Sequence, residues 1–260
     1  MSKLTFAFPL GRPTGTKVRF RLYCFHHAGG SAHNFAKWPG ALPGIDVWAV
    51  QLPCRFQPAC IRRADNLDEL LPVMADEISR VQVEGPAFAF YGHSLGALVA
   101  FELAQTLSER SGPNPFALAV SGHRAPRRAL TGPRLADLDQ PALIELLRSL
   151  KIIPDVVLAD PHAMSSILPT LYSDILLSEN YIYRERPQLS LQLYGFRGRH
   201  DPLLTSADLH NWAIETTGPS KFRTLPGGHF FHDIGLRKLL SYLSTDLVPP
   251  VEKANTDANQ

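Results

Sequence analysis

Apolar residues recur along this chain at two spacings, and stretches of the two kinds alternate. Residues 19–25 (RFRLYCF) interleave aromatic and branched side chains in period two, which predicts a strand. Residues 46–51 (DVWAVQ), 88–91 (FAFY), 117–121, 191–196 (LQLYGF) and 222–225 supply five more runs of the same kind. Between them lie helical patterns. Residues 66–81 open on Asn66, with Glu69 three positions on, and place Leu70, Leu71, Met74 and Ile78 on one face. Residues 95–107 are apolar nearly all round, as a helix packed deep against a sheet is. The long intervals between strands suit crossover helices better than hairpins, so a mostly parallel sheet flanked by helices is expected.

The alternation stops after Ser121. Residues 124–186 hold no strand pattern but carry helical ones at 140–150 and 164–181, punctuated by Pro126, Pro133, Pro154 and Pro161. Both ends of this block return to the same sheet, so it reads as a helical insertion into one domain spanning 1–247. A lid over a site is the natural reading; helices that thicken one layer are the alternative. The polar tail, 248–260, has no periodicity and is expected to be disordered.

Composition narrows the function classes. The chain has 260 residues, 45% of them hydrophobic, enough for one large core without disulfide staples. Lys and Arg number 26 against 24 Asp and Glu, so the basic excess of a nucleic-acid binder is missing. Cys24, Cys54 and Cys60 form neither a C-x-x-C pair nor a zinc-type cluster, which favours a reducing cytoplasm. The first residues lack a signal-peptide core, and no window approaches the roughly 20 apolar residues of a membrane span.

The chemistry centres on Tyr91-Gly92-His93-Ser94-Leu95-Gly96-Ala97, a G-x-S-x-G set between an apolar strand and an apolar helix. A strand-to-helix turn this sharp strains the serine backbone, pushes its hydroxyl outward and leaves room only for glycine two residues either side. It also places the Leu95 amide at a helix N-terminus, where it can face a developing oxyanion. Serine needs a base oriented by an acid, in the order Ser, Asp, His for this kind of sheet. Asp201 follows the strand at 191–196, and His229 lies in the glycine-rich loop 226–231 (PGGHFF). Asp174 and Asp233 are alternative acids, and His93, His200 and His232 are rival imidazoles. The glycine-rich run 26–31 (HHAGGS), after the first strand, offers a second oxyanion donor, for which the Ala28 amide is the candidate.

These residues together, C-F-H-H-A-G-G-S at 24–31, V-Q-L-P-C-R at 50–55, Y-G-H-S-L-G-A at 91–97, S-G-H-R-A-P at 121–126, L-P-T-L-Y-S-D at 168–174 and P-G-G-H-F-F at 226–231, resemble the type II thioesterases. Those are the discrete enzymes that accompany polyketide and nonribosomal peptide synthetases. The likeness covers about 19–245 and departs in two places: His26 stands where the family commonly has proline, and Cys54 where it has glycine.

The resemblance implies an α/β-hydrolase fold and hydrolysis of acyl thioesters carried on the phosphopantetheine arm of an acyl or peptidyl carrier protein, with no metal or redox cofactor required; a cytoplasmic monomer is expected. Ser94, Asp201 and His229 would be the triad, and the Ala28 and Leu95 amides the oxyanion hole. Leu146, Leu147, Ile152, Met164, Ile167, Leu168 and Leu171 would serve either the core or an acyl chamber. Arg124, Arg127, Arg128 and Arg134, with Arg62 and Arg63, would steer an acidic carrier. A general carboxylesterase, a malonyl-type acyltransferase and a non-catalytic binding module are the competing classes.

Overall fold

A computed structural model describes residues 6–11, 17–53, 66–110, 112–128, 134–150 and 155–250. Along the chain these form β1 (Ala7–Gly11), β2 (Phe20–Phe25), α1 (Trp38–Ala41), β3 (Ile45–Val50), α2 (Leu67–Gln82), β4 (Phe88–His93), α3 (Leu95–Glu109) and β5 (Ala117–Ser121). Then come α4 (Gln140–Ser149), α5 (Asp155–Leu158), α6 (Pro161–Glu179), β6 (Gln192–Gly198), α7 (Ser206–His210), β7 (Ser220–Leu225) and α8 (Asp233–Asp246). The strands make one sheet of order β1-β3-β2-β4-β5-β6-β7. Every neighbouring pair is parallel except β1 and β3.

All six expected strands are present, with ends shifted by up to two residues. The seventh, β1, is an addition to the sequence reading. It is an edge strand containing Pro9, and its register shifts between Pro9 and Gly11. Its N-terminal end is held by Glu77 of α2, whose carboxylate accepts the amides of Phe6 and Ala7 at 2.9–3.0 Å. The helix expected from Asn66 starts at Leu67, with the Asn66 side chain accepting the Glu69 amide at 3.1 Å.

Period-two burial explains why the central strands are apolar on both sides. In β2, Tyr23 and Phe25 face α2 and α3, while Phe20, Leu22 and Cys24 face α1 and α8. Its neighbour β4 repeats this in register, Phe88 and Phe90 on the first side, Ala89 and Tyr91 on the second. A third apolar cluster is separate and belongs to the segment between β5 and β6: Leu143, Leu147, Leu158, Met164, Leu171 and Ile175. Ala28, in the loop after β2, packs against both this cluster and the sheet core. The helical segment is thereby seated directly over the carboxyl ends of the central strands. Cys54, Cys60, Arg62, Arg63, Ile152 and the tail from 251 lie outside the described residues. No helix among the described residues is long and apolar enough to cross a membrane.

Candidate active site

β4 ends at His93 and α3 begins at Leu95, so one residue makes the whole turn. Ser94 does so at φ 54°, ψ −123°, a conformation L-residues rarely adopt. Its amide donates to the Ser121 carbonyl on β5 at 2.8 Å, which holds the turn in place. The flanking glycines are required by close approach. A Cβ on Gly92 would stand 2.2 Å from the Gly96 carbonyl oxygen, and one on Gly96 2.2 Å from the Phe25 carbonyl oxygen. The start of α3 is therefore pressed against the end of β2, and the Leu95 amide heads the helix among its unpaired donors.

Asp201 lies in the turn after β6, and His229 in the loop between β7 and α8. The two meet in the interior: Nδ1 of His229 is 3.1 Å from Oδ1 and 3.0 Å from Oδ2 of Asp201, with side chains 3% and 0% exposed. A carboxylate only accepts, so Nδ1 carries the proton and Nε2 presents its lone pair. Asp201 Oδ1 also accepts the Leu203 amide at 2.9 Å, fixing the carboxylate plane. Ser94 and His229 line one chamber, although no hydrogen bond joins their side chains in this structure. The rival acids go elsewhere. Asp174, on α6, accepts the Gly29 amide at 2.7 Å, and Asp233 is exposed at the start of α8.

The loop after β2 is wired by its own histidines. Nδ1–H of His26 donates to the His27 carbonyl at 2.8 Å, and Nε2 accepts the Leu52 amide at 3.2 Å. His26 thus does with hydrogen bonds what a proline does with a ring, and it must be neutral to do so. The His27 carbonyl also accepts from the Gly30 amide, and Nδ1–H of His27 donates to the Ala28 carbonyl at 2.9 Å. Among the described residues the Ala28 amide has no hydrogen-bond partner, and Ala28 lines the chamber with Ser94.

Sequence reasoning missed the imidazole packing around His229. His93 lies against it, ring centroids 5.1 Å apart, and Phe230 contacts both rings. Nδ1 of His93 is 2.8 Å from Ser121 Oγ, itself 2.8 Å from the Tyr91 hydroxyl, and burial holds His93 well below the usual imidazole range. Burial, helped by Arg124, lowers His123 to about 4. The signal was present as the histidines of G-H-S and S-G-H, but only the fold turns them toward one another. His200 and His232 are exposed at a neighbouring groove. Among the described residues no three His, Cys, Asp or Glu side chains group as a metal site would need.

Two cavities meet at His229. One is an apolar chamber of about 60 Å³, roofed by Leu143, Leu146 and Leu147 of α4 and by Leu171 and Ile175 of α6, with Ser94 at its floor. Of the apolar residues expected to serve core or chamber, Leu146, Leu147 and Leu171 line it, whereas Met164, Ile167 and Leu168 pack within the helical cluster. The other is a groove of about 620 Å³ bounded by His200, Pro202, Gly228, Phe230, His232 and Ile234.

Four of the arginines expected to steer a carrier, Arg124, Arg127, Arg128 and Arg134, make contacts within the chain. Arg127 lies 3.4 Å from Glu185 and 3.8 Å from the buried Glu215, Arg134 bonds Asn180 at 2.7 Å, and Arg128 bonds Asn211 at 3.1 Å. Arg124 donates to the Arg128 carbonyl at 3.2 Å.

Comparison with known proteins adds the family. Residues 20–246 match the model of the thioesterase domain. The gramicidin S biosynthesis protein GrsT of Aneurinibacillus migulanus is 35% identical over 215 residues, 82% of this chain and 83% of that one. Among solved structures, the RedJ thioesterase from the prodiginine pathway of Streptomyces coelicolor superposes with a TM-score of 0.82 at 32% identity, covering 92% of each chain. The type II thioesterase BorB from the borrelidin biosynthetic cluster gives 0.80 at 31%, covering 92% of this chain and 96% of that one. With the parallel sheet and its flanking helices, these likenesses place the chain in the thioesterase family, with an α/β-hydrolase fold, among the type II thioesterases of polyketide and nonribosomal peptide pathways.

Proposed function

We propose that the chain hydrolyses acyl groups carried as thioesters on the phosphopantetheine arm of a carrier protein, through an acyl-serine intermediate on Ser94. The observation that carries this reading is His229, buried with Nδ1 pinned by both oxygens of Asp201 on the wall of the chamber that holds Ser94. Nε2 of His229 takes the Ser94 proton as Oγ attacks the thioester carbonyl. Asp201 holds the tautomer and stabilises the imidazolium that forms. The Ala28 and Leu95 amides receive the oxyanion, the first supported by its lack of another partner, the second by its place at the head of α3. The thiol leaves with a proton from His229, and water then cleaves the acyl-serine by the same route. This chemistry uses the chain's own residues and asks for no cofactor.

The two cavities support a division of labour. The apolar chamber takes the acyl group, the open groove takes the arm, and the carrier domain docks where the groove reaches solvent. The segment carrying α4–α6 then acts as a lid, since its leucines roof the chamber. The protein works as a cytoplasmic monomer that meets its carrier transiently. The test is intact-mass analysis of a panel of acylated carrier proteins, incubated with the enzyme and with Ser94→Ala. Loss of the acyl mass from the carrier, with a transient acyl adduct on the wild-type enzyme and neither with Ser94→Ala, is the expected result; equal turnover by Ser94→Ala overturns the reading.

A further inference from the structure

Asp174 is 2% exposed, sits on α6 and accepts one amide of the loop after β2, 145 residues away, at 2.7 Å. That amide belongs to Gly29, at φ +73°. Two peptide planes flank the Ala28 Cα, and each is pinned. In the first, the His27 carbonyl accepts from the Gly30 amide at 2.9 Å and from His26 Nδ1 at 2.8 Å, which turns the Ala28 amide to the opposite side. In the second, the Ala28 carbonyl accepts from His27 Nδ1 at 2.9 Å and the Gly29 amide donates to Asp174 at 2.7 Å. At 2.7 Å this last bond is the shortest of the set. Without it the second plane is held only through the Ala28 carbonyl, beside a glycine, the residue with least resistance to a flip.

The same helix touches the loop one turn earlier. A Cβ added to Gly29 would stand 3.0 Å from Leu171 Cδ1, so α6 rests directly on that backbone. Leu171 and Ile175, either side of Asp174, line the acyl chamber. The element that roofs the substrate and the element that sets the loop are therefore one rigid helix.

We infer that Asp174 is a positioning residue: it holds the loop so that the Ala28 amide, not that of Gly29, faces the acyl carbonyl, and it makes the seating of α6 a condition for stabilising the oxyanion. This rests on the reading of Ser94 as nucleophile and Ala28 as oxyanion donor. It also gives Asp174 a role other than that of triad acid, since its carboxylate is turned to the loop while Asp201 holds His229.

The test compares Asp174→Leu, which keeps the outline and removes the acceptor, with Asp174→Asn, whose side-chain oxygen still accepts the Gly29 amide. Kinetics are measured on the acetyl thioester of N-acetylcysteamine, together with affinity for a trifluoromethyl ketone analogue that forms an oxyanion on Ser94 and for acetate, which does not. For Asp174→Leu, kcat should fall by about 10- to 100-fold, short of the roughly 100- to 1,000-fold seen when an oxyanion donor is deleted outright. KM and acetate affinity should stay within about threefold, and ketone affinity should fall in proportion to kcat/KM. Asp174→Asn should recover kcat to within about fivefold of wild type. A loss carried by KM, a ketone affinity that does not change, or an Asn variant as impaired as the Leu variant overturns the inference. Should Asp174→Leu fail to fold, Asp174→Ala is read in the same way, and full kcat there is equally fatal. Ser94→Ala separates the two readings: if it is inactive while Asp174→Leu keeps full kcat, only the role of Asp174 is lost, and if Ser94→Ala is itself active, both are.

Discussion

His93 packs its imidazole against that of His229, centroids 5.1 Å apart, and does so as a neutral ring. Burial is the main cause, and the fields of His229, His27 and His123 add to it. Nε2 of His93 is buried without a hydrogen-bond partner, so a proton there would be a bare cation beside His229.

A pH dependence of stability follows. In the unfolded chain His93 and His123 take up protons near 6.5, whereas the fold keeps His93 well below that and lowers His123 to about 4. The unfolded state thus binds more protons below pH 6.5, and stability falls there by up to about 1.4 kcal/mol per pH unit for each buried imidazole held neutral. The contribution is fully present above 6.5 and that of His123 is lost progressively down to about 4. Urea midpoints should be flat from pH 8 to 7 and decline toward 5, with a shallower decline in His123→Gln. A midpoint independent of pH across this range contradicts it.

Asp201→Asn keeps the shape of the buried pair and reverses its hydrogen bond, because an amide NH2 facing Nδ1 forces the proton onto Nε2. The nitrogen that should take the Ser94 proton is then already occupied. A fall in kcat of roughly 10⁴-fold is expected, with the melting temperature within a few degrees of wild type. A variant that keeps a tenth of the wild-type kcat removes Asp201 from the proposed triad.

The parts of this site legible in the sequence are those fixed by local sterics. Ser94 could be read because a strand, a glycine-bracketed serine and an apolar helix in succession have one compact solution, and Asp201 and His229 because each follows a strand. β1 could not: five residues with a proline, paired on one side only, leave no period to detect. Nor could the bond from the Gly29 amide to Asp174, since sequence reports that a carboxylate exists but not which amide 145 residues away it meets. The leucines of 140–171 were ambiguous for a similar reason, chamber wall and helix core having the same composition. Nor does a clustered charge in sequence reveal the acids that fold against it, such as Glu215 beside Arg127.

Carrier docking should depend on α8 rather than on the arginines after β5. Ile234 is 54% exposed at the edge of the groove, and Arg237 and Lys238 follow it by three and four residues on the same helical face. Both are exposed and lack an ion pair among the described residues. An acidic carrier presenting its arm to the groove would meet this face. The double variant Arg237→Glu with Lys238→Glu should raise KM for acyl-carrier substrate about tenfold while leaving the N-acetylcysteamine thioester within twofold. Arg127→Glu should instead lower the melting temperature, because it strips the cation from a carboxylate that is 1% exposed. Equal losses on both substrates in the α8 variant would rule out docking there.

The size of the chamber proposed to take the acyl group sets the last expectation. At about 60 Å³ it is well short of the roughly 150 Å³ that holds a benzene ring, so it suits chains of a few carbons. Leu146 is the residue to cut, since it lines the chamber yet is only half-buried, and its loss costs less stability than that of Leu143 or Leu147 in the helical cluster. Each additional methylene admitted into apolar surroundings is worth about 0.8 kcal/mol, about fourfold in kcat/KM. Across acetyl, butyryl, hexanoyl and octanoyl thioesters, Leu146→Ala should therefore move the optimum toward longer chains by about two carbons, with the acetyl rate little changed. If the profile keeps its shape, the acyl chain lies elsewhere, and the groove beside His229 becomes the place to look for it.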